Sequence, residues 1–136
     1  MTVRTRWVFS TFVIIAIAGV AALLPLSAGP VEREIVVVAR QMSFQIGESG
    51  AVNPPIHLAP GERVRITLVS ADAGFDHDFV VPDWGVRTKI LHGQGRTSVV
   101  VRAPDTPGTT TYVCSLHATM MKGVIEVVAP HAAPSR

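Results

Sequence analysis

The sequence predicts an all-β fold, a Greek-key β-sandwich preceded by an N-terminal hydrophobic signal or anchor helix. Three observations predict it. Past Pro30 no stretch spaces its apolar residues at helical intervals. Turn signals built on glycine, proline, asparagine and aspartate recur about every ten residues. Between them lie about eight short runs rich in valine, isoleucine and threonine. The run Arg63–Ser70 shows the pattern most clearly: Val64, Ile66 and Leu68 face one way, Arg63, Arg65 and Thr67 the other, as in a strand with one face on a core.

Residues 1–29 place Arg4 and Arg6 ahead of an apolar run over 7–24, broken only by Ser10, Thr11 and Gly19. At 18 residues the run is longer than an ordinary signal core and just long enough to span a bilayer. It therefore reads as a signal peptide or a membrane tether, and Ser27, Ala28 and Gly29 offer only a poor cleavage site. Either way the residues that follow are expected outside the cytoplasm, in the periplasm or on the outer face of the membrane.

Residues 34–129 read as the folded domain. Residues 34–39 (EIVVVA) form a first strand, short and valine-rich, and 42–46 alternate at period two as its continuation after a bend. Ile56–Leu58 is a short strand, and Ala59-Pro60-Gly61-Glu62 a turn leading into Arg63–Ser70. Residues 71–76 are a polar loop; 77–81 form a strand, closed by Pro82, with His77, Phe79 and Val81 on one face and the imidazole at the rim of the core. A short strand at 86–91, strands at 98–102, 109–114 and 123–128, and a disordered tail at 130–136 complete the order. His57 and His131 read as surface histidines.

Without its first segment the chain has about 105 residues, the size of one ordinary domain. A single cysteine excludes an internal disulfide, so stability rests on packing and on any bound metal. Of the 12 Lys and Arg, Arg4 and Arg6 lie in the first segment, leaving ten against 10 Asp and Glu, a nearly neutral domain. With no basic cluster and no recognised motif, nucleic acid is excluded as a partner.

The chemistry gathers in 112–123, YVCSLHATMMKG, which holds that one cysteine, Cys114, with His117, Met120 and Met121 close behind. Taken singly, a cysteine is usually a small buried hydrophobe and a methionine core filler. Together, thiolate, imidazole and thioether are soft donors, and softness selects copper over harder cations. His77, from a distant strand, would complete a trigonal site of two imidazoles and a thiolate with a weak axial sulfur. Zinc fits less well, because a thioether is a poor zinc ligand and structural zinc sites use more cysteines. No third residue orients His117 as a base toward Cys114, which argues against a nucleophile pair.

On these residues the chain resembles the cupredoxins, the small blue-copper proteins. The spacing Cys114-Ser-Leu-His117 is similar to that of plastocyanin, pseudoazurin and amicyanin, and His117-Ala-Thr-Met-Met121-Lys-Gly to the matching stretch of azurin. The run His77-Asp-Phe-Val-Val-Pro, with Gly85-Val-Arg-Thr-Lys behind it, resembles the copper-A domain of cytochrome c oxidase subunit II. The resemblance covers about residues 34–128. It implies His77, Cys114 and His117 as equatorial ligands and Met121 as the axial one, with Met120 the alternative. Copper-A needs a second cysteine, absent here, so one copper ion is implied. Asp78 stands where the family often has asparagine or serine, and is expected to pair with Ser115 and tie the two ligand-bearing segments together.

What the resemblance implies about function is a monomeric carrier of single electrons between extracytoplasmic redox proteins, docking transiently near His117, and not an enzyme. A copper carrier delivering metal to an extracytoplasmic cuproenzyme is the alternative, suggested by the surplus sulfur of Met120 and of Met42. A metal-free interaction domain that kept the fold is the third.

Overall fold

The computed structural model describes residues 33–47 and 50–129. The segment 1–29 and the tail 130–136, read as leader and disordered end, lie outside the described residues. Among the described residues no helix is long and apolar enough to cross a membrane.

Among the described residues there are eleven strands: β1 (Arg33–Arg40), β2 (Ser43–Ile46), β3 (Ile56–Leu58), β4 (Arg63–Ser70), β5 (Asp76–His77), β6 (Val80–Val81), β7 (Val86–Arg87), β8 (Leu91–His92), β9 (Gly95–Arg102), β10 (Gly108–Val113) and β11 (Lys122–Val127). A 3₁₀ turn, Pro82–Trp84, separates β6 from β7. One sheet runs β2-β1-β4-β9, a second β3-β11-β10-β6-β7, and β5 pairs with β8 in a small third. The all-β expectation holds.

The core follows from alternation. Ile35, Val37 and Ala39 of β1 and Val64, Ile66 and Leu68 of β4 are all buried, and the parallel register Ile35↔Ile66, Val37↔Leu68 puts them on one face. Ile56 and Leu58 of β3, Tyr112 of β10 and Ile125 and Val127 of β11 join the same cluster from the second sheet. Thr67, expected outward with Arg63 and Arg65, is 1% exposed because the Glu34 carboxylate accepts its hydroxyl and also pairs with Arg96 at 2.9 Å. Phe44, Phe79 and Tyr112 meet in the middle, with ring centroids 5.2–5.8 Å apart. The Tyr112 hydroxyl donates to Pro54 O at 2.6 Å, and burial pushes its pKa well above the usual tyrosine range. Gly123 lies opposite Tyr112 in the register, where a Cβ would stand 2.3 Å from the tyrosine Cζ and hydroxyl oxygen. Only glycine lets the ring lie over β11.

Three local expectations change. Residues 42–46 do not continue β1. The chain reverses at Gln41 and Met42, both at positive φ (51° and 58°), and β2 pairs antiparallel with β1. The predicted strand 77–81 is two strands in different sheets: His77 pairs with Leu91, and Val80 with Val113 and Arg87. The predicted strand 86–91 divides in the same way, into β7 and β8.

Candidate metal centre

Two segments supply the site. In the first, β10 ends at Val113 and the chain turns tightly before β11. The His117 amide donates to Cys114 O at 3.1 Å, the Met120 and Met121 amides to His117 O at 3.0 and 2.9 Å, and the Cys114 amide to Met121 O at 3.0 Å. This last bond makes Cys114 and Met121 neighbours at the neck of the loop, one step beyond the last strand pair Val113↔Lys122. Both are fully buried, whereas Met120 is 58% exposed. Asn53 Nδ2 holds the loop from outside through Met120 O at 2.8 Å.

The second segment is β5. His77 was expected at the rim of the core and is instead completely buried, because β8 covers it through the pair His77↔Leu91. Its ring centroid lies 5.3 Å from that of His117, and Cys114 Sγ is 3.6 Å from His117 Nδ1. One ligand atom from each of His77, Cys114 and His117 falls within 4.8 Å of the others. Donors bonded at about 2.0–2.3 Å to one ion stand at comparable separations.

Asp78, next to His77, is 1% exposed and takes both donors of Ser115: the amide on Oδ1 and the hydroxyl on Oδ2, each at 2.6 Å. The expected tie between the two segments is present. It fixes the residue that follows the thiol.

Burial pushes the Cys114 thiol above its ordinary pKa, against the pull of the Asp78, Leu116 and His117 amides that donate toward the sulfur. Burial likewise lowers the His77 pKa, opposed by the Asp72 carboxylate. Neutral imidazole is the ligating form.

No protein-family model matches the chain, and no curated protein matches it. Solved structures do. Reduced auracyanin from Roseiflexus castenholzii is similar at 17% identity and a TM-score of 0.58, over 73% of this chain and 99% of that one. Auracyanin A from Chloroflexus aurantiacus, a "blue" copper protein, is similar at 18% identity and a TM-score of 0.55, over 74% and 100%. A chain of a heme-copper terminal oxidase dimer is similar at 18% identity and a TM-score of 0.55, over 88% and 89%. The domain has the cupredoxin fold.

In this cupredoxin fold the donor set suits a soft metal ion, and one feature argues for it directly. Both ring nitrogens of His77 are buried without a hydrogen-bond partner, a condition that costs free energy unless something else takes a lone pair. His57 and His92 stand apart from the site: both are exposed and paired with Glu126 at 3.2 Å and Asp76 at 2.7 Å. Met42 lies in the β1–β2 turn, partly exposed. Phe75 was hidden inside what reads as a polar loop. It packs edge-on against His117 at 6.3 Å while 49% exposed, and no periodicity could have marked it.

Proposed function

We propose that this domain holds one copper ion on His77, Cys114 and His117, with Met121 as a long axial sulfur, and carries single electrons between redox proteins outside the cytoplasm. The observation that carries the reading is the buried, unpartnered His77 imidazole within 4.8 Å of a thiol and a second imidazole. Held by these residues, copper would supply one-electron chemistry between Cu(II) and Cu(I).

The chain's residues supply the rest. Cys114, His77 and Met121 are fully buried, which excludes water from these three donors. Asp78 and the loop's own hydrogen bonds hold Cys114 and His117 in place, so the ligands need rearrange little between oxidation states. Met121 is favoured over Met120 as the axial donor because it is buried beside Cys114 while Met120 points out. His117 is only half buried, and around it Phe75, Leu116 and Met120 are 48–58% exposed. That apolar surface suits brief docking of a partner, with His117 as the path for the electron. An N-terminal anchor through 7–24 would keep the carrier at the membrane.

Voltammetry of the domain loaded with one equivalent of copper tests the proposal. A reversible one-electron couple, with Cu(I) retained against a competing chelator, supports it. Rapid surrender of Cu(I) without a reversible couple would replace it with metal delivery.

A further inference from the structure

Asp72 Oδ2 serves two elements at once. It accepts the Gln41 amide at 2.8 Å, in the turn where Gln41 and Met42 both have positive φ, and it stands 3.5 Å from His77 Nε2. A left-handed conformation is unfavourable for a residue with a side chain, so the Gln41 bond helps to hold this turn and the turn in turn holds the carboxylate. The Asp72 side chain is 19% exposed and that of His77 fully buried. At 3.5 Å the pair is in electrostatic contact, short of a made hydrogen bond, consistent with a ring whose nitrogens have no such partner.

A neutral imidazole carries one proton on one of two nitrogens. Nε2 faces an anion, so the proton is favoured there, and Nδ1 remains as the bare donor. An outer carboxylate on a ligating histidine fixes the tautomer, orients the ring and makes it a stronger donor. We propose that Asp72 is a positioning residue for His77: it keeps the proton on Nε2, leaves Nδ1 free for the metal, and biases the site toward the more highly charged Cu(II). Only the last clause rests on the copper reading; the first two concern the metal-free protein.

Two measurements test it. In the metal-free domain, imidazole ¹⁵N shifts should show His77 as the Nε2–H tautomer, and Asp72→Ala should lose that preference. In the copper-loaded domain, Asp72→Asn keeps an acceptor for Gln41 but removes the charge. Loss of an outer-shell partner weakens metal binding about 10–100-fold; removing a negative charge weakens the more highly charged Cu(II) more than Cu(I), so Asp72→Asn should lower the ratio of Cu(II) to Cu(I) affinity by about tenfold, a rise of about 59 mV in potential. An Nδ1–H tautomer in the wild type, an unchanged tautomer in Asp72→Ala, or a wild-type potential in Asp72→Asn would overturn the proposal. Should the wild type retain no copper, the copper reading fails while the tautomer still decides the role of Asp72. Should Asp72→Ala not fold, the wild-type tautomer and the Asp72→Asn potential decide it.

Discussion

Replacing Asp78 by alanine removes both oxygens that hold Ser115, and the size of the effect follows from the geometry. Each is a 2.6 Å bond to a carboxylate, and a hydrogen bond to a charged group contributes about 1.5–3 kcal/mol. Two together give about 3–6 kcal/mol. Against this, the carboxylate is 1% exposed, and its removal recovers part of the desolvation cost of burying a charge. Ser115 is exposed, so its freed amide and hydroxyl turn to water. A net loss of about 2–3 kcal/mol follows, and with it a fall in melting temperature of roughly 10–20 °C for a domain of this size. Because the tie fixes the residue after Cys114, Cu(II) affinity should also fall about 10–100-fold. Thermal unfolding of the metal-free domain by circular dichroism and chelator competition for Cu(II) read the two effects. Unchanged melting together with wild-type affinity and potential would refute the reasoning.

Gly123→Ala puts a methyl group 2.3 Å from a tyrosine ring that is packed against Phe44 and Phe79 and tied to Pro54 O; overpacking of this kind should cost about 1–3 kcal/mol in chemical denaturation. Met121→Leu should raise the potential of the loaded domain, because losing a donor costs the more highly charged Cu(II) more than Cu(I), while Met120→Leu leaves it as in the wild type, both read by voltammetry. The metal-free domain should lose stability in mild acid. Burial holds the His77 pKa below its ordinary 6.5, so the unfolded chain takes up the proton first. Its contribution is complete above about pH 6.5 and declines as pH falls toward the folded pKa, at up to about 1.4 kcal/mol per pH unit. Melting temperatures that rise on acidification through that window would contradict this.

What the sequence disclosed, and what it hid, has a physical pattern. Arg63–Ser70 was read with its bounds intact because its first half alternates exposed Arg63 and Arg65 with buried Val64 and Ile66; the burial of Thr67 beneath Glu34 left no mark in that pattern. Residues 77–81 are buried throughout, so nothing in their pattern marks the point where the chain leaves one sheet for another. The β1–β2 turn was missed because Gln-Met carries no turn signal; its acceptor comes from Asp72, 31 residues away. The cluster of His77, Cys114 and His117 was more legible than the fold around it. Cys114, His117 and Met121 are set by local spacing, and the Asp78–Ser115 tie followed from the resemblance. The contacts of Asp72 and Phe75 with the two histidines depend on how a loop lies over the sandwich, which side-chain chemistry alone does not encode.

The most direct test of the account is the absorption and electron-resonance spectrum of the domain loaded with one equivalent of Cu(II). The account predicts an intense blue thiolate-to-copper band with narrow hyperfine splitting, both abolished in Cys114→Ala. A colourless product with an ordinary tetragonal Cu(II) signal, or a domain that retains no copper, would contradict it.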